Sequence, residues 1–197
     1  PGRMNVFTEH PFKVILDYAH NPAAVKTMSD LVSRLGEHGR KILVLAAPGD
    51  RRDEDIRDIA LAAAGHYDVY VCRQDDRPRG RQPGEVPEML RATLLEAGIA
   101  EDRILVRPDE QEAVETALGL ARAGDLVMIF GDVIKRCWKQ IVYFKPGEGA
   151  GPEIDVPAVD DSFALEREEE AWQPEPDVEL VRDGRGVILA AEPEDSD

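Results

Sequence analysis

The spacing of apolar residues along the 197-residue chain switches repeatedly between two periods, and each switch marks a predicted element. Lys13–Tyr18 (KVILDY) is a short apolar run rich in β-branched residues and reads as a buried strand, with Met4–Thr8 placed to pair with it antiparallel across a turn near Glu9–Pro11. After His20-Asn21-Pro22, residues Val25, Met28, Val32 and Leu35 mark one face of a helix that ends near Gly36–Gly39. The alternation then repeats: strand Lys41–Ala47, helix Asp53–Ala64 with Ile56, Ile59 and Ala63 inward, strand Asp68–Cys72. A polar loop leads to a helix near Pro87–Ala97 closed by Gly98, then to a strand at Arg103–Val106. Asp109 starts the next helix, with Glu112 completing a capping-box-like signal. Leu126–Phe130 is the last strand of the series and Val133–Phe144 its last helix.

Strands alternating with helices predict a mostly parallel sheet covered on both faces, with right-handed crossovers. Beyond Lys145 the pattern stops. Gly147–Pro152 reads as a linker and Glu153–Asp177 as irregular, while Val178–Leu189 reads as a hairpin turning at Asp183-Gly184-Arg185-Gly186. The expected organisation is an α/β domain over residues 1–146 and an acidic, Pro-rich tail over 147–197.

Charge sharpens that division. The whole chain has 40 Asp/Glu and 24 Lys/Arg, and from Pro146 onward there are 17 acids against 3 arginines. The first part is therefore nearly neutral and the tail holds most of the net −16. This balance argues against a nucleic-acid partner, which needs a basic face. A 43% hydrophobic content is enough for a core. No apolar run nears the ~20 residues of a membrane helix, and no secretory signal opens the chain, so no membrane role is expected. Cys72 and Cys137 are too few for a disulfide framework and read as reduced thiols of a cytoplasmic protein. An opening Pro1-Gly2-Arg3 without Met reads as an excised fragment.

Ligands of parallel sheets collect beyond the carboxyl ends of the strands. Those ends carry Asp17 to Pro22, Pro48 to Asp53, Arg73 to Arg81, and Gly131-Asp132, a concentration of charge, Gly and His that suits a charged ligand. Blander readings stand beside it. Asp17 can cap the next helix, Asp50, Arg51, Arg52 and Asp53 can be an ordinary acidic helix start, and Asp75, Asp76 and Asp132 can be plain loop acids. Trp138, in helical register with Ile134 and Ile141, reads as packing, and both cysteines as core. No GxxxxGK[ST] or GxGxxG segment is present. The histidines at 10, 20, 38 and 66 are scattered, so no metal cluster is expected. The residues alone imply an α/β domain that supplies part of a site, with no certain catalytic residue of its own.

The opening Gly2-Arg3-Met4 and the segment Asp17-Tyr18-Ala19-His20-Asn21-Pro22, about 14 residues apart, resemble the entry to the C-terminal (third) domain of Mur ligases and folylpolyglutamate synthetases. Gly49-Asp50-Arg51-Arg52-Asp53 resembles a GDRD segment of the same family. The loop from Asp75 to Arg81 and the run Arg136-Cys137-Trp138-Lys139-Gln140-Ile141 resemble its cyanophycin synthetase branch in particular. Similarity covers roughly Pro1–Pro146. The resemblance implies a Rossmann-like three-layer α/β/α sandwich, with a six-stranded sheet whose first strand is antiparallel to the rest.

It further implies an ATP-dependent amide ligase working through an acyl phosphate, with ATP and Mg²⁺ held mainly by a preceding central domain. A fragment lacking that domain is expected to be inactive. By resemblance, Arg3 contacts ATP phosphates, Asp17 the ribose hydroxyls and His20 the nucleotide, with Asn21 shaping the turn. Asp50, Arg51, Asp75, Asp76 and Asp132 are the candidates for substrate. The implied reaction adds arginine to aspartate side chains of a polyaspartate backbone. The implied partners are that acceptor, that carboxylate and the preceding ligase domains, and a homo-oligomer is compatible with all of this. A peptidoglycan-type or polyglutamate-adding ligase remains an alternative, although Asp75-Asp76-Arg77-Pro78-Arg79 stands where a diaminopimelate-adding enzyme carries DNPR. A non-catalytic binding module derived from a ligase domain is the other.

Overall fold

The computed structural model describes residues 3–35, 39–146, 179–183 and 186–190. The linker and irregular stretch expected over Gly147–Asp177 lie outside the described residues. The chain divides into two compact units, Pro1–Val159 and Asp160–Asp197.

In the first unit the elements run β1 (Asn5–Phe7), β2 (Lys13–Asp17), α1 (Pro22–Arg34), β3 (Lys41–Leu45), α2 (Asp53–Ala63), β4 (Val69–Cys72), α3 (Glu85–Glu96), β5 (Ile104–Val106), α4 (Glu110–Leu120), β6 (Leu126–Phe130) and α5 (Ile134–Tyr143). The six strands form one sheet in the order β1-β2-β6-β3-β4-β5. β1 is antiparallel to β2, with Val6 opposite Ile15, and every other pairing is parallel. In the second unit β7 (Glu179–Asp183) pairs antiparallel with β8 (Gly186–Ala190).

The sheet is buried on both faces, which is why its strands read as continuous apolar runs. Successive side chains nevertheless part company. Ile15, Leu43, Leu45, Tyr70, Cys72, Met128 and Phe130 pack with α1, α2 and α3, while Val14, Leu16, Ile42, Val44, Val71, Val127 and Ile129 pack with α4 and α5. This is the sheet covered on both faces that the alternating pattern predicts, in the Rossmann-like α/β/α layering that the resemblance implies. Trp138 packs with the α4–α5 layer and meets Phe7 edge to face at 5.9 Å. Both cysteines are buried, and burial pushes each thiol up to about 12.

Several boundaries differ from the pattern-based ones by a residue, and the end of β3 and the start of α3 by two. β3 stops pairing at Leu45, although Ala46 and Ala47 stay buried beyond it; apolarity reports burial, not strand pairing. α3 begins at Glu85 instead of Pro87, because a proline in the first turn lacks only an N–H that the helix leaves unbonded there. At the amino ends of the strands, Gly39 lies so close to Gly124 that an added Cβ would sit 2.4 Å from the Gly124 carbonyl oxygen. Beside it, buried Arg40 and Asp125 pair at 2.8 Å. Among the described residues no helix is long and apolar enough to cross a membrane.

Candidate functional site

The connections from β2 through β5 place α1, α2 and α3 on one face, and the return through α4 inserts β6 between β2 and β3 on the other. Beyond β6 the chain therefore leaves toward the face opposite to that taken after β2 and β3. Such a reversal opens a crevice at the carboxyl ends of the strands.

A cleft of about 130 Å³ lies there. The β2 end contributes Tyr18 and His20, the β3 end Pro48 and Arg51, the β4 end Arg73, Asp75 and Arg79, and the β6 end Gly131 and Asp132. A complete small-molecule pocket usually measures ~300–1,000 Å³. The cleft fits one part of a ligand, with other walls to be supplied.

Its floor is a buried chain of charges. Arg73, 1% exposed, donates to the Phe130 carbonyl at 2.7 Å and the Gln74 carbonyl at 2.8 Å, and pairs with Glu110 at 3.1 Å and Asp75 at 3.5 Å. Its Nε has no hydrogen-bond partner. Glu110, at the start of α4, accepts from the backbone N–H of Asp132 at 2.6 Å and from that of Val133. It thereby caps α5, which has no capping side chain of its own. Arg136 bonds both Glu110 and the two oxygens of Asp76.

The environments split these carboxyls. Burial pushes Asp75 up to about 6, with Asp132 and Glu110 adding repulsion and Arg73 and Arg79 opposing it. Burial acts on Glu110 the same way, but Arg73, the Asp132 N–H and Arg136 outweigh it and hold this carboxyl below the usual glutamate value. The hydrogen bonds from Arg136 likewise lower Asp76.

The loops around the cleft are locked together. Gly49 touches the neighbouring loop so closely that a Cβ would fall 2.0 Å from the Pro78 carbonyl oxygen. Arg81 donates to the carbonyls of Gly49 at 3.1 Å and Arg51 at 2.8 Å and bonds Asp53 and Glu85, tying the β3–α2 loop to the β4–α3 loop.

The nine sequence-based candidates take distinct places. His20, Arg51, Asp75 and Asp132 line the cleft. Asp50 stands beside it, 3.5 Å from Arg79. Asp17 is buried at the end of β2 and accepts the Met4 N–H at 2.8 Å, which brings the backbone of Arg3 to the same rim. His20 Nδ1 lies 2.9 Å from the Tyr18 carbonyl. Asp76 is turned to Arg136.

Asn21 caps α1, its Oδ1 accepting the Ala24 N–H at 2.9 Å, with Pro22 in the first turn. Asn21→Ala is expected to cost ~1 kcal/mol of stability, read as a modest fall in melting temperature; an unchanged melt would remove the cap from the account. Arg73 and Arg79 fall within the strand-end stretches read from the sequence but were not singled out, and Glu110 and Arg136 were missed as parts of the site. Arg73 had one signal, its place directly after an apolar strand.

Among the described residues no three His, Cys, Asp or Glu side chains are placed to hold a metal ion. The Mg²⁺ implied by resemblance has no ligand set among these residues.

The chain is similar to ATP-dependent ligases. The family model described as Mur ligase, glutamate ligase domain, matches residues 2–133. The chain is 34% identical over 148 residues to the cyanophycin synthetase of Synechocystis sp., covering 74% of this chain and 16% of that protein. It is 32% identical over 131 residues to the UDP-N-acetylmuramoyl-L-alanyl-D-glutamate–2,6-diaminopimelate ligase of Aquifex aeolicus, covering 66% of this chain and 26% of that protein. E. coli FolC in complex with DHPP and ADP superposes with a TM-score of 0.56 at 25% identity, over 72% of this chain and 31% of that one. Sequence match and fold agree: the chain belongs to the Mur ligase family of ATP-dependent amide-bond-forming ligases, as its glutamate ligase domain.

Proposed function

We propose that this domain holds the acceptor amino acid for an ATP-dependent amide ligase of the cyanophycin synthetase type, which adds arginine to aspartate side chains of polyaspartate. The observation that carries the reading is the mixed charge of the cleft: Asp75 and Asp132 face the same space as Arg51 and Arg79. An arginine acceptor is complementary to both signs. Its α-carboxylate pairs with a guanidinium of the cleft, and its own guanidinium with the carboxylates, whose paired oxygens match the planar fork. The similarity to the Synechocystis cyanophycin synthetase supports the same choice.

ATP supplies the phosphoryl group that activates the carboxylate. The acceptor amine attacks the activated carbon, the C–N bond forms and phosphate leaves. We assign Arg3, Asp17 and His20, at the rim formed by β1 and β2, to the nucleotide: a guanidinium suits phosphate and a carboxylate suits the ribose diol. Asn21 holds the turn beside them through its cap. Arg51 lines the acceptor cleft and Asp50 stands beside it, and Asp76 serves the cleft indirectly by anchoring Arg136. Phosphate-loop and Mg²⁺-binding residues belong, on this reading, to a preceding domain of a longer protein. On this reading the ligase domain occupies residues 1–146, and the acidic tail follows it in sequence.

The test offers the full-length enzyme equal concentrations of arginine, lysine, diaminopimelate and glutamate with polyaspartate and ATP. Arginine is expected to be incorporated at least about tenfold faster than lysine, since lysine presents a point charge without the fork. Exclusive use of glutamate or diaminopimelate would remove the arginine assignment and leave the ligase assignment standing.

A further inference from the structure

Glu110 has no solvent-exposed side-chain surface and lies behind the cleft, yet it bonds to both of the walls that carry acceptor-facing carboxylates. On the β6 side it holds the Asp132 N–H at 2.6 Å. On the β4 side it pairs with Arg73 at 3.1 Å, while Asp75 stands 3.5 Å from another nitrogen of the same guanidinium. Two carboxylates thus share one buried cation, and Glu110 has the shorter contact. With Glu110 ionised, Arg73 is already matched, and Asp75 keeps charge to spare for a ligand.

We propose that Glu110 is a positioning residue for the acceptor. By occupying Arg73 it leaves the Asp75 carboxylate available to the cleft, and by capping α5 it fixes Asp132 opposite. The proposal rests on the reading of this cleft as the acceptor subsite. Without the Glu110 charge, Arg73 turns fully to Asp75 and the carboxylate is withdrawn into an internal ion pair. Glu110→Gln tests this, because the amide keeps the size of the side chain and can still accept an N–H bond.

The charged groups facing Asp75 are Arg73 beside it, Arg79 from its own loop, Asp132 beyond β6 and Glu110 from α4. Glu110 raises the Asp75 pKa and Arg73 lowers it. Two substitutions therefore act in opposite directions on the acidic limb of kcat/KM for the acceptor. In the full-length enzyme, Glu110→Gln is expected to move that limb to lower pH, and Arg73→Gln to move it to higher pH. Glu110→Gln is also expected to raise the acceptor KM about tenfold or more while kcat and the KM for ATP stay within about threefold. Combined with Asp75→Asn, it should add little to the single Asp75 variant, because both act through one carboxylate.

A Glu110→Gln enzyme that loses kcat and both KM values alike, with its acidic limb unmoved, would overturn the proposal and leave Glu110 a structural residue. If that variant does not fold, the Arg73→Gln limb decides: an upward move supports the competition and an unmoved limb overturns it. Normal acceptor kinetics in Asp75→Asn would overturn the acceptor reading itself. Impaired Asp75→Asn beside normal Glu110→Gln would overturn this proposal alone.

Discussion

Asp125→Ala is expected to destabilise the domain by ~3–5 kcal/mol, the usual cost of stranding one member of a buried ion pair. Asp125 accepts the backbone N–H of Arg40 at 2.8 Å and of Arg122 at 2.9 Å, and its Oδ2 lies 2.8 Å from the Arg40 guanidinium. Alanine removes all of these acceptors at once. Arg40, only 9% exposed, keeps just the Leu120 carbonyl at 2.7 Å. For a domain of this size the loss corresponds to a fall in melting temperature of roughly 10–20 °C. Thermal melts followed by circular dichroism read it directly. Because the pair sits at the amino ends of the strands, acceptor selectivity measured well below the midpoint should be unchanged. A shift of only a degree or two would mean that water enters and solvates Arg40.

The second large effect is functional. Asp75→Asn in the full-length enzyme is expected to lower kcat/KM for arginine by about 30- to 1000-fold, the cost of losing a charge-assisted bond in a buried setting. The same variant should not lose stability at neutral pH. Burial, aided by repulsion from Asp132 and Glu110, raises the folded carboxyl to about 6 from its ordinary 3.8. A group raised in the folded state contributes stability that is fully present below the unfolded pKa and lost as pH rises through the folded one. At pH 7 the charged Asp75 is therefore a burden on the fold, and asparagine removes it. The variant should melt at or above the wild-type temperature at pH 7, with the advantage gone below about pH 4. In the wild type, arginine kcat/KM should fall as pH drops through about 6, where Asp75 takes up its proton. Steady-state kinetics and melts across that range test both halves. Full activity in a stable variant would exclude Asp75 from guanidinium binding.

These two carboxylates also mark what a sequence conveys and what it withholds. The strand ends were legible because a parallel sheet gathers them along one edge, so Asp17, His20, Arg51, Asp75 and Asp132 could be named together from chain position alone. β6 was legible to the residue, since LVMIF is flanked by charge and glycine. The network beneath was not. Nothing in the sequence sets Glu110 apart from the other acids that open its helix, and Arg73 is one charge among many in a strand-end loop. Their burial depends on one another, through contacts between β4, α4 and α5 that follow no local period. Asp76 was indistinguishable from Asp75 for the same reason: only the packing of α5 turns one toward Arg136 and leaves the other in the cleft.

The place of β6 in the sheet has a consequence for how the domain comes together. It is the last of the six strands to emerge from a ribosome, yet it lies between β2 and β3 and pairs with both, Val14 with Val127 and Ile42 with Val127. Until Leu126–Phe130 is available, β2 and β3 have no strand to pair with across the gap, and each holds a bare apolar edge of the kind that recruits strands from other molecules. Assembly is governed by contacts between distant parts of the chain, which slows it, and the cleft exists only once the final strand has closed the gap.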